Sequence, residues 1–172
     1  MQKLSMEALG RKTVIEYKKA DKLPIIVVLD NVRSMHNVGS IFRTADAFLI
    51  QSIYLCGCTP QPPHRDIHKT ALGATETVDW KYYATTLEAV NHLKQQSYTV
   101  CAVEQTTDSI ALQNIELSKH PIAIILGNEV DGVGDEVLAL CDKCIEIPQF
   151  GTKHSLNVSV AAGVVLWKLV HG

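Results

Sequence analysis

Three short segments of this chain place polar side chains between the end of an apolar strand and the start of a helix. In residues 147–160, IPQFGTKHSLNVSV, a loop brings Ser155 and Asn157 to the start of an apolar helix. Exposed backbone N–H groups and the positive end of the helix dipole favour an anionic group at such a position. Residues 29–48, LDNVRSMHNVGSIFRTADAF, and residues 124–137, IILGNEVDGVGDEV, have the same strand–loop–helix design.

Apolar strand-like runs alternate with helical patterns along the whole chain. Strands are predicted at residues 24–30, 52–56, 78–83, 98–103, 121–126 and 143–147. Helices are predicted near residues 38–48, 65–72, 86–96, 134–141 and 155–170, and a short polar helix is predicted within residues 1–20. Continuous apolar β-branched runs such as PIIVVLD suit strands that are covered on both faces. The pattern therefore predicts an α/β fold with a mostly parallel sheet and helices on both faces.

The three polar segments should form one site. Each begins where an apolar strand ends, at Asp30, Leu126 and Ile147. Ligands bind beyond the carboxyl ends of the strands in open α/β sheets, so we expect the segments to converge on one edge. The sequence contains no G-x-G-x-x-G after a strand, no Walker A lysine and no serine elbow. These absences count against a dinucleotide enzyme, a P-loop NTPase and an α/β-hydrolase.

The composition is that of an ordinary globular protein, with 47% hydrophobic and 20% charged residues. We expect residues 1–172 to form a single domain with a helical extension at residues 1–20. The formal net charge of −2 is not that of a domain held to nucleic acid mainly by phosphate contacts. No stretch has the length of a membrane span and no apolar signal core begins the chain, so we expect a cytoplasmic protein without a membrane partner.

The cysteines indicate reduced, structural thiols rather than a metal centre. Their number is odd, and most lie in apolar strand-like runs. The pair Cys141 and Cys144 could be half of a zinc site or a redox pair, and His64 and His68 could share a helix face. Neither pair has neighbours that complete a metal site, so no metal is expected. The five cysteines are Cys56, Cys58, Cys101, Cys141 and Cys144.

Together the three segments resemble the ordered motif set of the SpoU-type RNA ribose 2′-O-methyltransferases, within the SPOUT superfamily. The resemblance covers roughly residues 24–170. It implies a C-terminal trefoil knot, an S-adenosylmethionine pocket built by that knot, and methylation of a ribose 2′-hydroxyl in RNA. It also implies a homodimer in which the catalytic arginine reaches the pocket of the partner subunit.

The resemblance assigns roles to particular residues. Arg43 occupies the position of the catalytic arginine in the family's NxGxxxRTA pattern. A guanidinium does not readily lose a proton, so Arg43 is better suited to gripping an RNA phosphate and stabilising an emerging 2′-oxyanion. The supporting catalytic positions correspond to Asn37, Glu129, Ser155 and Asn157, and the cofactor contacts to Gly127, Ile147 and Leu156.

Most of these residues also have an ordinary structural interpretation. Arg43 could be a solvated surface arginine and Glu129 a loop carboxylate. Ser155 could be the N-cap of the last helix and Asn157 a residue on its surface. Gly127, Ile147 and Leu156 could serve core packing and loop geometry.

Contact with RNA must come from local patches. Residues 64–69, HRDIHK, are the first candidate, with Arg65, His68 and Lys69 as contacts, and Lys12, Lys18 and Lys19 form a second. The chain carries Leu49 where many relatives have glycine, and it lacks their added RNA-binding domain or basic tail. We therefore favour a small folded RNA, with tRNA slightly preferred to rRNA. The alternatives are a non-catalytic RNA-binding module on the same fold and a small-molecule binder of another α/β class.

Overall fold

A computed structural model describes residues 1–5, 8–115 and 121–172 of the protein. Its strands are β1 Leu23–Asp30, β2 Ile50–Cys56, β3 Asp79–Tyr83, β4 Thr99–Val103, β5 Ile110–Ala111, β6 Ile122–Leu126 and β7 Lys143–Glu146. They form one seven-stranded sheet in the order β3-β2-β1-β6-β4-β7-β5, and all neighbouring strands are parallel. The predicted α/β fold with a mostly parallel sheet is confirmed.

The helices follow the predicted alternation with shifted ends. They are α1 Val14–Lys19, α2 Met35–Ala47, α3 Arg65–Ala71, α4 Ala74–Thr77, α5 Thr86–Gln95, α6 Asp135–Leu138 and α7 Val158–His171. Within the predicted N-terminal extension, the helix begins only after Thr13, whose side chain and Glu16 form a reciprocal capping box. Helix α4 and strand β5 were not predicted; they have four and two residues, too few for a periodic pattern of their own.

Apolar residues fill both faces of the sheet. On β1, Val27 and Leu29 point to one core, which also contains buried residues of α2, α3 and α7. The alternate residues Ile26 and Val28 point to the other core, which is covered by α5 and α6. This two-sided burial explains why the β1 sequence is continuously apolar rather than alternating. It leaves only the strand ends and their loops to carry polar chemistry.

Helices α2 and α7 lie side by side and run in the same direction. Near their starts, Asn157 donates a hydrogen bond to Asn37, and near their ends the rings of Phe48 and Trp167 lie 6.0 Å apart. Both helices therefore begin at the carboxyl edge of the sheet, where the first and third polar segments meet. The trefoil knot implied by the resemblance stays a prediction.

The cysteines are all free thiols. Burial raises the pKa of Cys101 to about 11 and that of Cys141 to about 12, so both thiols are protonated at neutral pH. Within the described residues, no three His, Cys, Asp or Glu side chains gather as metal ligands do. None of the helices in the described ranges combines the length and apolar character that crossing a membrane requires.

Gly39 fixes the distance between α2 and α3. A Cβ atom at this position would lie 2.3 Å from the carbonyl oxygen of Ile67 and 2.1 Å from the hydroxyl oxygen of Thr70. We predict that Gly39→Ala lowers the free energy of unfolding by about 1–3 kcal/mol, because the backbone of α3 has to move away. Denaturant unfolding measures this change.

Ser40→Ala is the matched control, since it changes the next residue of the same helix without adding an atom. It should change the free energy of unfolding by no more than about 0.5 kcal/mol. Equal stability of the two variants would contradict the close packing of α2 on α3.

Candidate active site

A cleft of about 550 Å³ opens at the carboxyl edge of the sheet. Its floor is apolar and comes from the strand ends, with Val103, Leu126 and Ile145 side by side in the register of β4, β6 and β7. Its walls are the loop after β6, the loop after β7 and the start of α7. The second and third polar segments therefore meet around one cavity, as their positions after strands predict.

The side-chain amide of Asn37 connects all three polar segments. Its Nδ2 donates to Glu129 Oε1 at 2.9 Å, and its Oδ1 accepts from Asn157 Nδ2 at 3.1 Å. The backbone N–H of Asn37 donates to the hydroxyl of Ser34, the N-cap of α2. One amide thus fixes the second and third segments against the start of α2, which belongs to the first. We call the side chains of Asn37, Glu129 and Asn157 the amide hub.

The loop after β6, residues 127–134, is held in a tight turn. Asn128 Oδ1 accepts hydrogen bonds at 2.9 Å from the backbone N–H groups of Val130 and Asp131. The backbones of Asn128 and Gly132 are paired in both directions. A Cβ atom at Gly127 would lie 2.1 Å from the carbonyl carbon of Gly132, so only glycine fits there.

Two carboxylates hold the end of this loop, one from each of the strands that flank β6. The backbone N–H of Val133 donates to Glu104 Oε2 at 3.1 Å, and the next one, of Gly134, donates to Asp30 Oδ2 at 3.1 Å. Asp30 is only 4% exposed, and its Oδ1 accepts from the Thr86 hydroxyl and from Asn31. Sequence reasoning assigned no role to Glu104 and used Asp30 only as a strand end. The available signal was an acidic residue at the end of an apolar strand.

Glu129 is held as a carboxylate. Burial acts to raise its pKa, but hydrogen bonds donated by the Asn37 amide and by the backbone N–H groups of Arg33 and Ser34 outweigh burial, so the pKa is lowered from its usual value. The Arg33 N–H donates to Glu129 Oε2 at 3.3 Å, and the Arg33 guanidinium lies 3.8 Å from Asp131. Glu129 is therefore charged at neutral pH and fixed at the mouth of the cleft.

The start of α7 differs from the expectation. Asn157 is the N-cap, and its Oδ1 accepts from the backbone N–H of Ser159 at 3.0 Å. The N-cap role considered for Ser155 is wrong, because Ser155 lies two residues earlier and lines the cleft. The same kind of error applies to α2, which begins at Met35 rather than near Val38 because Ser34 caps it. Helix boundaries depend on cap geometry that residue types alone do not fix.

Most of the predicted site residues come together. The cleft is lined by six of them, namely Gly127, Glu129, Ile147, Ser155, Leu156 and Asn157. Asn37 lies beside the lining and is bonded to two of these residues. Arg43 does not line the cleft. It is exposed on α2, nearly two turns beyond Asn37, and forms no ion pair or side-chain hydrogen bond with another described residue.

The predicted RNA patch is exposed on α3. Arg65, His68 and Lys69 all face solvent. Lys69 pairs with Asp66 at 2.7 Å, and this hydrogen bond lowers the pKa of the Asp66 carboxyl. The Asp66 N–H donates to the ring of His64, the N-cap of α3. The patch is therefore basic, but the Asp66 carboxylate neutralises part of its positive charge.

A cleft walled by polar loops at the carboxyl edge of a parallel sheet is the arrangement of an α/β enzyme site. The sequence model of one family matches residues 24–167. The chain belongs to this family, the SpoU rRNA Methylase family. The family membership predicted from the three segments is therefore confirmed.

Curated relatives agree with the family match. The chain is 33% identical over 158 residues to the tRNA (guanosine(18)-2′-O)-methyltransferase of Thermus thermophilus, covering 92% of this chain and 80% of the relative. It is 32% identical over 148 residues to the 23S rRNA (guanosine-2′-O-)-methyltransferase RlmB of Vibrio vulnificus, covering 86% of this chain and 59% of that enzyme. The predicted enzyme class, an RNA 2′-O-ribose methyltransferase, is confirmed.

Solved structures of the same kind superpose on the chain. A TrmH/SpoU tRNA modifying enzyme from A. aeolicus matches with a TM-score of 0.80 and 26% identity, covering 91% of this chain and 78% of that one. An AdoMet-bound rRNA methyltransferase from Sinorhizobium meliloti matches with a TM-score of 0.78 and 27% identity, covering 88% of this chain and 60% of that one.

The amide hub can be tested through Asn37→Ala. Loss of two hydrogen bonds, each worth about 1 kcal/mol, should speed amide hydrogen exchange several-fold at residues 129–131 and 157–159. The pKa of Glu129 should rise, because a donor that stabilises its charged form is gone. Exchange mass spectrometry and a carboxyl NMR titration measure the two effects.

Asn91→Ala, on the exposed surface of α5, is the control and should change neither quantity. Unchanged exchange around Glu129 in Asn37→Ala would contradict the connecting role of the hub.

Proposed function

We propose that the protein transfers a methyl group from S-adenosylmethionine to a ribose 2′-hydroxyl in structured RNA, with tRNA slightly preferred to rRNA. The observation that carries this proposal is the amide hub, which holds the three family segments together at the mouth of one cleft. The named relatives methylate guanosine 2′-oxygens in tRNA and in 23S rRNA. A non-catalytic RNA-binding module would need neither the cleft nor a charge-fixed Glu129.

The residues of the cleft fit S-adenosylmethionine. Leu126, Ile145 and Ile147 offer an apolar surface for a flat base, and Gly127 lets backbone approach a ligand closely. The charged side chains on the lining are all carboxylates, namely Glu104, Glu129, Asp131 and Glu146. Their negative charge favours a cationic ligand. When bound, the cofactor supplies an electrophilic methyl group on a positively charged sulfonium. The AdoMet-bound relative from Sinorhizobium meliloti supports this assignment.

The side chains at the mouth of the cleft would position the RNA. Glu129 is charged and fixed, so it can accept a hydrogen bond from an incoming hydroxyl group. Asn157, bonded to Asn37, holds the start of α7 against that carboxylate, and Ser155 lines the cleft two residues earlier. Arg43 contributes a planar cation, which can bind a phosphate and stabilise negative charge on the 2′-oxygen. Because a guanidinium keeps its proton, Arg43 is not the base.

A homodimer would bring Arg43 to a cleft. Helix α7 exposes Val160, Val164 and Trp167 at 51%, 39% and 59%, and their spacing places them on one face. Helix α2, which carries the exposed Arg43, lies alongside α7. A second copy that covers this apolar face would hide it from water and bring each Arg43 toward the partner's cleft.

The preference for tRNA rests on local charge and on the more complete match to the tRNA relative. The chain spans 80% of the tRNA enzyme from Thermus thermophilus but 59% of the rRNA enzyme from Vibrio vulnificus. A compact dimer with a basic patch on α3 suits a small folded RNA that offers a few phosphates. We propose that it acts on such RNA in the cytoplasm.

Arg43→Ala should lower methyl transfer by about 100-fold or more while leaving cofactor affinity within a few-fold, because its partner is RNA. Arg43→Lys keeps the charge but loses the planar fork, so it should recover only part of the activity. Radiolabelled methyl transfer and calorimetry measure these effects. Loss of cofactor affinity in a folded Arg43→Ala dimer would contradict the assignment.

Subunit mixing tests whether Arg43 acts in the partner's cleft. Arg43→Ala mixed with Gly127→Ala should recover about a quarter of wild-type activity, because half of the random dimers each contain one intact site. Each variant alone is the control and should remain inactive. No recovery, with mixed dimers shown by mass spectrometry, would place Arg43 and the cleft in the same subunit.

The α3 patch can be tested with the double variant Arg65→Ala and Lys69→Ala. RNA affinity should fall, and the slope of its salt dependence should decrease by about 2, roughly 1 for each lost phosphate contact. The control is the double variant Lys94→Ala and Lys143→Ala, which removes the same charge around the start of β7. Equal affinity and salt slope in both double variants would exclude the α3 patch.

A further inference from the structure

Glu104 lines the cleft and holds the loop after β6, but no particular group of a ligand has been assigned to it. It follows β4 directly, and its backbone N–H donates to the carbonyl oxygen of Ile145 at 3.0 Å. It therefore lies next to the apolar floor formed by Val103, Leu126 and Ile145, on the lining of the cleft. Its sequence neighbours are not part of the three polar segments.

The carboxylate of Glu104 is fixed in space. Its Oε1 accepts from the Gln105 N–H at 2.9 Å, and its Oε2 accepts from the Val133 N–H at 3.1 Å. A Cβ atom at Gly132 would lie 2.2 Å from Oε2, so glycine is needed for the loop to approach this closely. A carboxylate offers about four acceptor positions, and the two backbone bonds use one on each oxygen. One acceptor position on each oxygen is left for a ligand.

The ligand group that fits is a pair of adjacent hydroxyls. If the adenine ring covers the apolar floor, the first polar group along the cofactor is the ribose with its two vicinal hydroxyls. Nucleotide-binding folds commonly recognise a ribose through an acidic side chain at a strand end. We infer that the Glu104 carboxylate accepts hydrogen bonds from the ribose hydroxyls of the cofactor's adenosyl group. This inference rests on the proposed function.

Glu104 is then a specificity residue as well as a loop clamp. Because the same carboxylate grips the 132–133 backbone, cofactor binding and the shape of the loop that carries Glu129 are connected through one side chain. The alternative is that Glu104 only holds the loop. The two roles differ in how affinity depends on the hydroxyls of the ligand.

The test is a double-mutant cycle between the protein and the ligand, measured by calorimetry. The ligands are S-adenosylhomocysteine and its 2′-deoxy and 3′-deoxy forms, which carry the same adenosyl group. In the wild-type protein, removal of a contacted hydroxyl should weaken binding by about tenfold or more, as expected for a hydrogen bond to a charged group. In Glu104→Gln the same removal should weaken binding by no more than about twofold. Glu136→Gln, an exposed change of the same charge on α6, should keep the wild-type ratio.

If removal of a ribose hydroxyl weakens binding to Glu104→Gln as much as binding to the wild-type protein, the inference is overturned. Glu104 then only holds the loop. If Glu104→Gln does not fold, the wild-type protein still decides, because equal affinity for all three ligands would overturn the inference. Failure of the wild-type protein to bind either S-adenosylmethionine or S-adenosylhomocysteine is a different result. It would remove the proposed function and the inference with it.

Discussion

The site depends on one amide side chain that has a donor at one end and an acceptor at the other. Asn37 bonds to Glu129, 92 residues away along the chain, and to Asn157, 120 residues away. An aspartate would lack the donor for Glu129, and an apolar residue of similar size would remove both the bond to Glu129 Oε1 and the bond to Asn157 Nδ2. Each bond contributes only about 1 kcal/mol net, so the fold does not need them. Their role is to fix the relative position of the three loops. Arg33 and Asp30 also join the first segment to the second, and Asn37 adds a bond to the third.

The sheet supplies the rest of the rigidity. Asp30 and Glu104, at the ends of β1 and β4, accept hydrogen bonds from consecutive backbone N–H groups at Gly134 and Val133. The loop that carries Glu129 is therefore fixed at its base by two strands and at its tip by Asn37. Such a loop pays little conformational entropy when a ligand binds.

Charge separates the two proposed binding surfaces. The lining of the cleft carries carboxylates, which suit a cationic cofactor and repel RNA phosphates. The basic side chains suited to RNA lie outside, on the exposed sides of α2 and α3. A net charge of −2 is compatible with this arrangement, because acidic and basic groups serve different ligands in different places. The net charge taken alone counted against RNA binding, because a net charge does not show where the charged groups lie.

The fold and most of the site could be predicted from local patterns. Continuous apolar runs indicated the main strands, and their ends located the three segments that surround the cleft. The positions of Asn37, Arg43 and Glu129 were recognised through the family motifs rather than from periodicity. The clamp on the 133–134 backbone could not be predicted, because Asp30 and Gly134 are 104 residues apart and nothing local indicates their contact. The exposure of Arg43 could not be predicted either, because a motif gives the type of a residue and not the surface on which it lies.

Transfer of a labelled methyl group to RNA tests the central claim most directly. The wild-type protein would be incubated with methyl-labelled S-adenosylmethionine and RNA from cells that lack it, and the RNA would then be hydrolysed in alkali. Methylation of a 2′-oxygen blocks alkaline cleavage, so the account predicts label in alkali-stable dinucleotides and no label when the mapped nucleotide is 2′-deoxy. Label found only on nucleobases, or no transfer to tRNA or rRNA by protein that binds the cofactor, would contradict it.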